Sequence, residues 1–145
     1  MEKKTLIQFI KFVIIGIVNT GVDWLAFFLL RLIPFFAVFE VWAKAIAFVI
    51  AATNSFIWNS IWTFREEFDQ GIQKSQSKLA KGSGYYMKFM LVSVVGFFLN
   101  VLVFKLARDY LFVGDSNWLR VFSLALASFI VTIWNFSANK WWTYR

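Results

Sequence analysis

Apolar residues run almost unbroken through four stretches of the chain, about residues 9–32, 38–64, 86–112 and 118–142, with polar residues gathered at their ends and between them. A helix needs about 20 mostly apolar residues to cross a hydrocarbon core of about 30 Å, and each stretch is long enough. A membrane barrel would show short segments of alternating hydrophobicity instead. The pattern therefore predicts an all-α membrane protein with four transmembrane helices. The first stretch is too long for the apolar region of a signal peptide, contains Asp23 and lacks a small-residue cleavage site, so it is expected to remain as a span. The connections around Pro34 and around Gly114-Asp115-Ser116 are short. Residues 66–85 form a longer polar connection, in which Gly82-Ser83-Gly84 reads as a flexible joint between two halves.

Those halves are copies of one another. Asn59-Ser60-Ile61-Trp62-Thr63-Phe64-Arg65 matches Asn139-Lys140-Trp141-Trp142-Thr143-Tyr144-Arg145 at an offset of 80, which also pairs Ala52 with Thr132, Ser55 with Asn135 and Phe56 with Phe136. Near the starts of spans one and three, Lys11-Phe12 matches Lys88-Phe89 at an offset of 77, and the same offset pairs Gly16 with Ser93 and Asp23 with Asn100. The chain reads as a single domain, residues 1–145, made of repeat A (about 8–65), a connecting loop (66–85) and repeat B (about 86–145). Each repeat holds two spans, so both copies enter and leave on the same side of the membrane. That makes a parallel repeat, without the inverted symmetry that gives many transporters their two access states.

Each helix carries one small-and-polar face on an apolar cylinder. Phe12, Gly16, Asn19 and Asp23 share a face of span one, and Phe89, Ser93, Gly96 and Asn100 take the same register in span three. Span two offers Ala52, Ser55, Asn59 and Trp62, and span four Thr132, Asn135, Asn139 and Trp142. Turning these faces inward satisfies amides and hydroxyls that lipid cannot. Such stripes serve as helix–helix glue, or they line a polar groove for a ligand head group. Asn59, Asn135 and Asn139 lie beside Arg65, Lys140 and Arg145, and amides next to cations suit an anionic, oxygen-rich group such as a lipid phosphate. Asp23 lies near the middle of span one, where an uncompensated carboxylate costs about 2.5–3.5 kcal/mol on insertion scales. Its counterpart Asn100 is neutral, so any site there holds one acid and not a dyad. Glu40 and Lys44, four residues apart, read as a structural pair within span two.

Composition agrees with this and adds a direction. Of the 145 residues 60% are hydrophobic, 21% aromatic and only 16% charged, and no cysteine or histidine is present. Disulfides, thiol nucleophiles, the usual zinc sites and a Ser-His-Asp triad are excluded. Without paired carboxylates or a metal-ligand cluster the chain reads as a non-enzyme that needs no cofactor and no metal. Ten of the 15 basic residues fall on the side of the two termini and the middle connection, among them Lys11, Arg65, Lys88, Lys140 and Arg145. Both termini are thus expected in the cytoplasm. A pI near 9.9 would otherwise point to nucleic acid, but topology and the anionic inner leaflet account for the charge.

These residues resemble the GtrA-like family of small four-helix membrane proteins. The resemblance rests on residues 12–23 with Gly16, Asn19 and Asp23, on residues 88–100, and above all on the two Asn-x-x-Trp-Thr-aromatic-Arg ends, preceded in span four by Asn135-Phe136. It covers about residues 8–65 and 86–145. Ser55 in place of an Asn, and Ser60 in place of Lys140, are departures in the first half. The resemblance implies a protein of the bacterial cytoplasmic membrane that flips polyprenyl-phosphate-linked monosaccharide beside membrane glycosyltransferases, for decoration of O-antigen, teichoic acid or related polymers. In that role Lys11, Arg65, Lys88, Lys140 and Arg145 would capture the phosphate, assisted by Asn59, Asn135 and Asn139. The sugar would pass Asn19, Asp23 and Asn100 while the prenyl chain stays in lipid. Four helices enclose little space, so a homo-oligomer or an open lateral groove is expected. Two alternatives stand beside this: a non-transporting scaffold for a glycosyltransferase, and a small four-helix exporter of cations or drugs.

Overall fold

The structure, a computed structural model, describes residues 3–114 and 116–145; Asp115, in the second short turn, lies outside the described residues. Six α-helices follow one another: α1 (Lys3–Arg31), α2 (Pro34–Val38), α3 (Glu40–Trp58), α4 (Arg65–Gln73), α5 (Lys78–Leu106) and α6 (Asn117–Ala138). Three of them end in a π-helical turn, α3 at Asn59–Thr63, α5 at Ala107–Leu111 and α6 at Asn139–Thr143. Four stretches are long and apolar enough to cross a membrane, Lys3–Arg31, Glu40–Thr63, Lys78–Leu111 and Asn117–Thr143. No strand occurs among the described residues, and the protein is an all-α membrane protein. The α1 span buries only 6% of its most apolar window, leaving Ile17, Trp24 and Leu25 with more than half their surface bare, an area suited to lipid.

The chain divides into two compact units, Met1–Tyr86 and Met87–Arg145. In the first, α1 packs on α3 along Ala43, Ala47 and Ala51, spaced four apart and almost wholly buried. Methyl side chains let the two backbones approach closely, which supplies the packing that a hydrophobic drive cannot supply in lipid. Phe12 and Ile15 are the buried apolar residues of α1. In the second unit the buried stripe is Ser123, Ala127 and Val131, each 80 residues further on, with Phe89 and Val92 standing 77 residues after Phe12 and Ile15. Residue identity before Ala52 is confined to apolar pairs such as Ala47 with Ala127 and Ile50 with Ile130. Burial extends it back through α3 and α6.

The connection between the halves departs from the sequence expectation. Residues 66–85 are not a loop: α4 occupies the first part, and α5 begins at Lys78, so that Gly82-Ser83-Gly84 is helical. The Ser77 hydroxyl accepts from the Ala80 amide at 3.4 Å, near the start of α5, and the Ser83 hydroxyl donates to the Ala80 carbonyl at 3.0 Å. Close packing requires a glycine at one position of this connection, Gly71. A β-carbon at Gly71 of α4 would lie 1.8 Å from the Tyr85 hydroxyl, and one at Gly82 would touch Ile72 at 3.9 Å. With Phe68 stacked 5.2 Å from Tyr85 and 6.3 Å from Phe56, α4 lies against its own unit as an amphipathic helix. Gly114, at φ +134°, closes the turn between α5 and α6 in a region that L side chains rarely adopt.

Candidate functional site

The duplicated Asn-x-x-Trp-Thr segments are the two π-helical turns that end α3 and α6. The Phe64 amide donates to the Asn59 carbonyl at 2.8 Å and the Tyr144 amide to that of Asn139 at 3.0 Å, each five residues back. Both asparagines are fully buried and donate from Nδ2 to the carbonyl four residues earlier, Ser55 or Asn135, at 2.8 Å. The last carbonyls of a helix lack backbone donors. In each unit a lysine from the partner helix supplies one: Lys11 Nζ donates to the Trp62 carbonyl and Lys88 Nζ to the Trp142 carbonyl, at 3.3 Å in both cases. Each ammonium also stands over the indole of the same tryptophan, at 5.4 and 5.6 Å. A cation at a helix C-terminus is favoured by the macrodipole as well. Four buried oxygens remain without a hydrogen-bond partner in these turns, Oδ1 of Asn59 and Asn139 and Oγ1 of Thr63 and Thr143. Both hairpins therefore end in the same polar, cation-capped turn. At the far end of α5 the Arg108 guanidinium does a similar job, donating to the Phe112 and Gly114 carbonyls at 3.0 and 2.7 Å.

In the first unit, polar contacts between α1 and α3 continue along the whole hairpin. Beyond the Lys11–Trp62 contact, Asn54 Nδ2 donates to Asn19 Oδ1 at 3.2 Å. Next comes an ion pair between Lys44 and Asp23, then Arg31 against Glu40 at 2.7 Å. The Phe27 ring stands 5.8 Å from both the Arg31 guanidinium and the Lys44 ammonium. One sequence expectation changes here. Glu40 and Lys44 do not pair with each other: each reaches across to α1, because residues facing the neighbouring helix find opposite charges there. Asp23 lies eight residues, or about 12 Å, from Arg31 at the turn end of α1. In the second unit Asn100 and Leu124 take the registers of Asp23 and Lys44.

The remaining candidates are placed as follows. Asn135 packs its amide on Gly96, where a β-carbon would stand 2.5 Å from Asn135 Oδ1. Asn100 is half-buried, and Lys140 holds its ammonium 5.9 Å from the Phe136 ring. Arg65 is exposed, 3.6 Å from Asp69, and Arg145 is exposed at the chain end. Beside Trp134, Trp141 and Trp142 of the second unit, with Leu91, Val92 and Val95 of α5 opposite, lies an open apolar groove of about 600 Å³. Lys44 and the two threonines were not legible as site residues. Thr63 and Thr143 did recur at matched positions, which was the available signal, whereas nothing in sequence spacing links Lys44 to Asp23.

The start of α1 is clamped to α4. Lys4 Nζ lies 2.9 Å from both Glu66 and Glu67, and Gln8 Nε2 donates to Glu67 at 3.0 Å. Burial raises the Glu67 carboxyl, but the hydrogen bonds from Lys4, its own backbone and Gln8, with the Lys4 charge, outweigh this and hold it below the usual carboxylate range. A depressed carboxylate stabilises the folded form fully above its unfolded value, about 4.3, and loses that contribution as pH falls through the lower folded one. Hydrogen-exchange protection across 65–73, measured relative to the intrinsic exchange rate at each pH, is therefore expected to fall as pH is lowered below about 4.3, with Glu67→Gln removing most of that dependence. Pre-existing fast exchange at neutral pH in the wild type would refute it.

Four helices long and apolar enough to cross a membrane define a multi-pass membrane protein. Its sequence matches the family model of the GtrA/DPMS transmembrane domain over residues 11–144, and the chain belongs to that family, which is associated with polyprenyl-phosphate-sugar translocation or glycosylation. No curated protein and no solved structure matches it.

Proposed function

We propose that this protein moves a polyprenyl-phosphate-linked monosaccharide across the bacterial cytoplasmic membrane, for glycosylation of an envelope polysaccharide. The observation that carries this reading is the run of polar contacts along the first hairpin, Lys11–Trp62, Asn19–Asn54, Asp23–Lys44 and Arg31–Glu40. A sugar head group crossing hydrocarbon loses its hydrogen bonds to water, and each unsatisfied polar group costs several kcal/mol. Amides and paired charges at successive depths replace those bonds while the prenyl chain stays in apolar surroundings. With the termini in the cytoplasm, each unit offers its own cations for loading the phosphate, Lys11 and Arg65 with Asn59 in the first, and Lys88, Lys140 and Arg145 with Asn135 and Asn139 in the second. The exporter alternative loses its main support, since the carboxylate it needs is taken by Lys44.

Proteoliposomes containing the full chain and undecaprenyl-phosphate-glucose provide the test. Transbilayer movement of the lipid is expected to exceed that of protein-free vesicles, and equal rates would reject translocation. The scaffold alternative makes a separate demand: glycosyl transfer to undecaprenyl phosphate should fall in cells that lack the protein. Translocation requires instead that lipid-linked sugar accumulate on the cytoplasmic side.

A further inference from the structure

The two hairpins share a buried stripe, a capped π-helical turn and a buried Phe at matched positions, yet only the first places an ion pair between its helices at the register of Asp23 and Lys44. The second folds with Asn100 and Leu124 there, so holding such a hairpin together does not require the pair. Ionised groups in a membrane are costly, and a matched apolar pair would serve packing at least as well. The pair is also not sealed. The Lys44 side chain keeps 54% of its surface open and that of Asp23 20%. An ammonium has three donors, of which Asp23 Oδ2 engages one, while a carboxylate accepts several hydrogen bonds. Phe27 lies on one side of Lys44 at 5.8 Å, and it offers a face and no competing acceptor.

We propose that Lys44 and Asp23 form a subsite for a sugar phosphate in the half of the membrane nearer the α1–α3 turn, the ammonium taking phosphate oxygens and the carboxylate taking sugar hydroxyls. This assignment rests on the translocation reading above and gives that path a second station. A sugar phosphate carries an anion and neutral donors within one sugar ring of each other, and an ammonium beside a carboxylate is its complement. Phosphate engages Lys44 at donors that Asp23 leaves over. Hydroxyls satisfy the Asp23 lone pairs that Lys44 leaves over. The Asn19–Asn54 contact stands four residues, about 6 Å, along α1 on one side, and Arg31 stands eight residues along on the other.

The test uses the full chain with two probes, undecaprenyl-phosphate-glucose in proteoliposomes for movement and geranyl-phosphate-glucose in nanodiscs for binding. Asp23→Lys combined with Lys44→Asp keeps an ion pair but exchanges its ends. Asp23→Asn with Lys44→Gln keeps a neutral hydrogen bond and serves should the exchanged pair fail to fold. Both are expected to melt near the wild type and to lose about tenfold or more in binding and in rate, whereas Lys44→Arg stays within about threefold. Wild-type binding and rate in either double variant would reduce the pair to a structural one and overturn the subsite. If the wild type binds geranyl-phosphate-glucose but moves no lipid, and the doubles lose binding, translocation falls and the subsite stands. If the wild type neither binds nor moves its probe, both fall.

Discussion

Gly96→Asn is expected to destabilise the second hairpin by about 1–3 kcal/mol, the range for forcing extra atoms into a packed contact. A β-carbon at position 96 would stand 2.5 Å from Asn135 Oδ1 and 3.0 Å from Nδ2, so the asparagine amide already occupies the space that any side chain would need. Asn135 has to turn its buried amide away, or the helices have to part, before a side chain fits at position 96. In the first hairpin Asn19 stands at the Gly96 register and Ser55 at that of Asn135, so the larger residue is on the other helix at these two registers. Gly96→Asn with Asn135→Ser should therefore recover most of the lost stability, a coupling of the size seen between residues in contact. Gly16→Ala is the control, since nothing stands within 4 Å of a β-carbon there. Melting followed by tryptophan fluorescence reads these proteins together with Asn135→Ser alone, at roughly 2–4 °C per kcal/mol. Losses that merely add in the double variant would show that the two positions do not share one space.

Ser55, a departure from the motif of the second half, has a local part in the first: its carbonyl and its hydroxyl both accept from the Asn59 amide. Other features divide along similar lines. The spans and the duplicated motif were legible because hydrophobic length and residue identity are properties of the chain itself. The buried stripe Ala43, Ala47 and Ala51 was hidden, since alanine in an apolar helix looks the same whether it faces lipid or a neighbour. The connection at 66–85 misled for a related reason: glycine and serine mark a flexible joint by propensity, but Gly82-Ser83-Gly84 continues α5, and Gly71 of α4 makes room for the Tyr85 hydroxyl. Lys44 was assigned to Glu40 because spacing within a helix can be counted, and its bond to Asp23 depends on how two helices meet. Lys11 and Lys88 were read as a phosphate ring, while the structure gives each a carbonyl and an indole within its own hairpin.

Replacing both of those lysines with methionine is expected to lower the translocation rate by more than about tenfold, with Lys11→Arg and Lys88→Arg together staying near wild type. Methionine keeps the apolar stem packed and removes only the charge, so losses cannot be assigned to a cavity. Two effects are bound up in each ammonium. As a helix cap it contributes about 0.3–1 kcal/mol, and since Lys11 and Lys88 serve different helix ends their stability losses should add. As a phosphate ligand it still has donors beyond the one given to Trp62 or Trp142. Temperature separates the two. Well below the melting point a lost cap of that size leaves almost all molecules folded, so a slow double variant in that range reports on the ligand and not on the fold. Rates that return to wild type on cooling would confine both lysines to capping and leave phosphate capture to Arg65, Lys140 and Arg145. Arginine should serve in either role, because its guanidinium caps a carbonyl and grips phosphate through two parallel bonds.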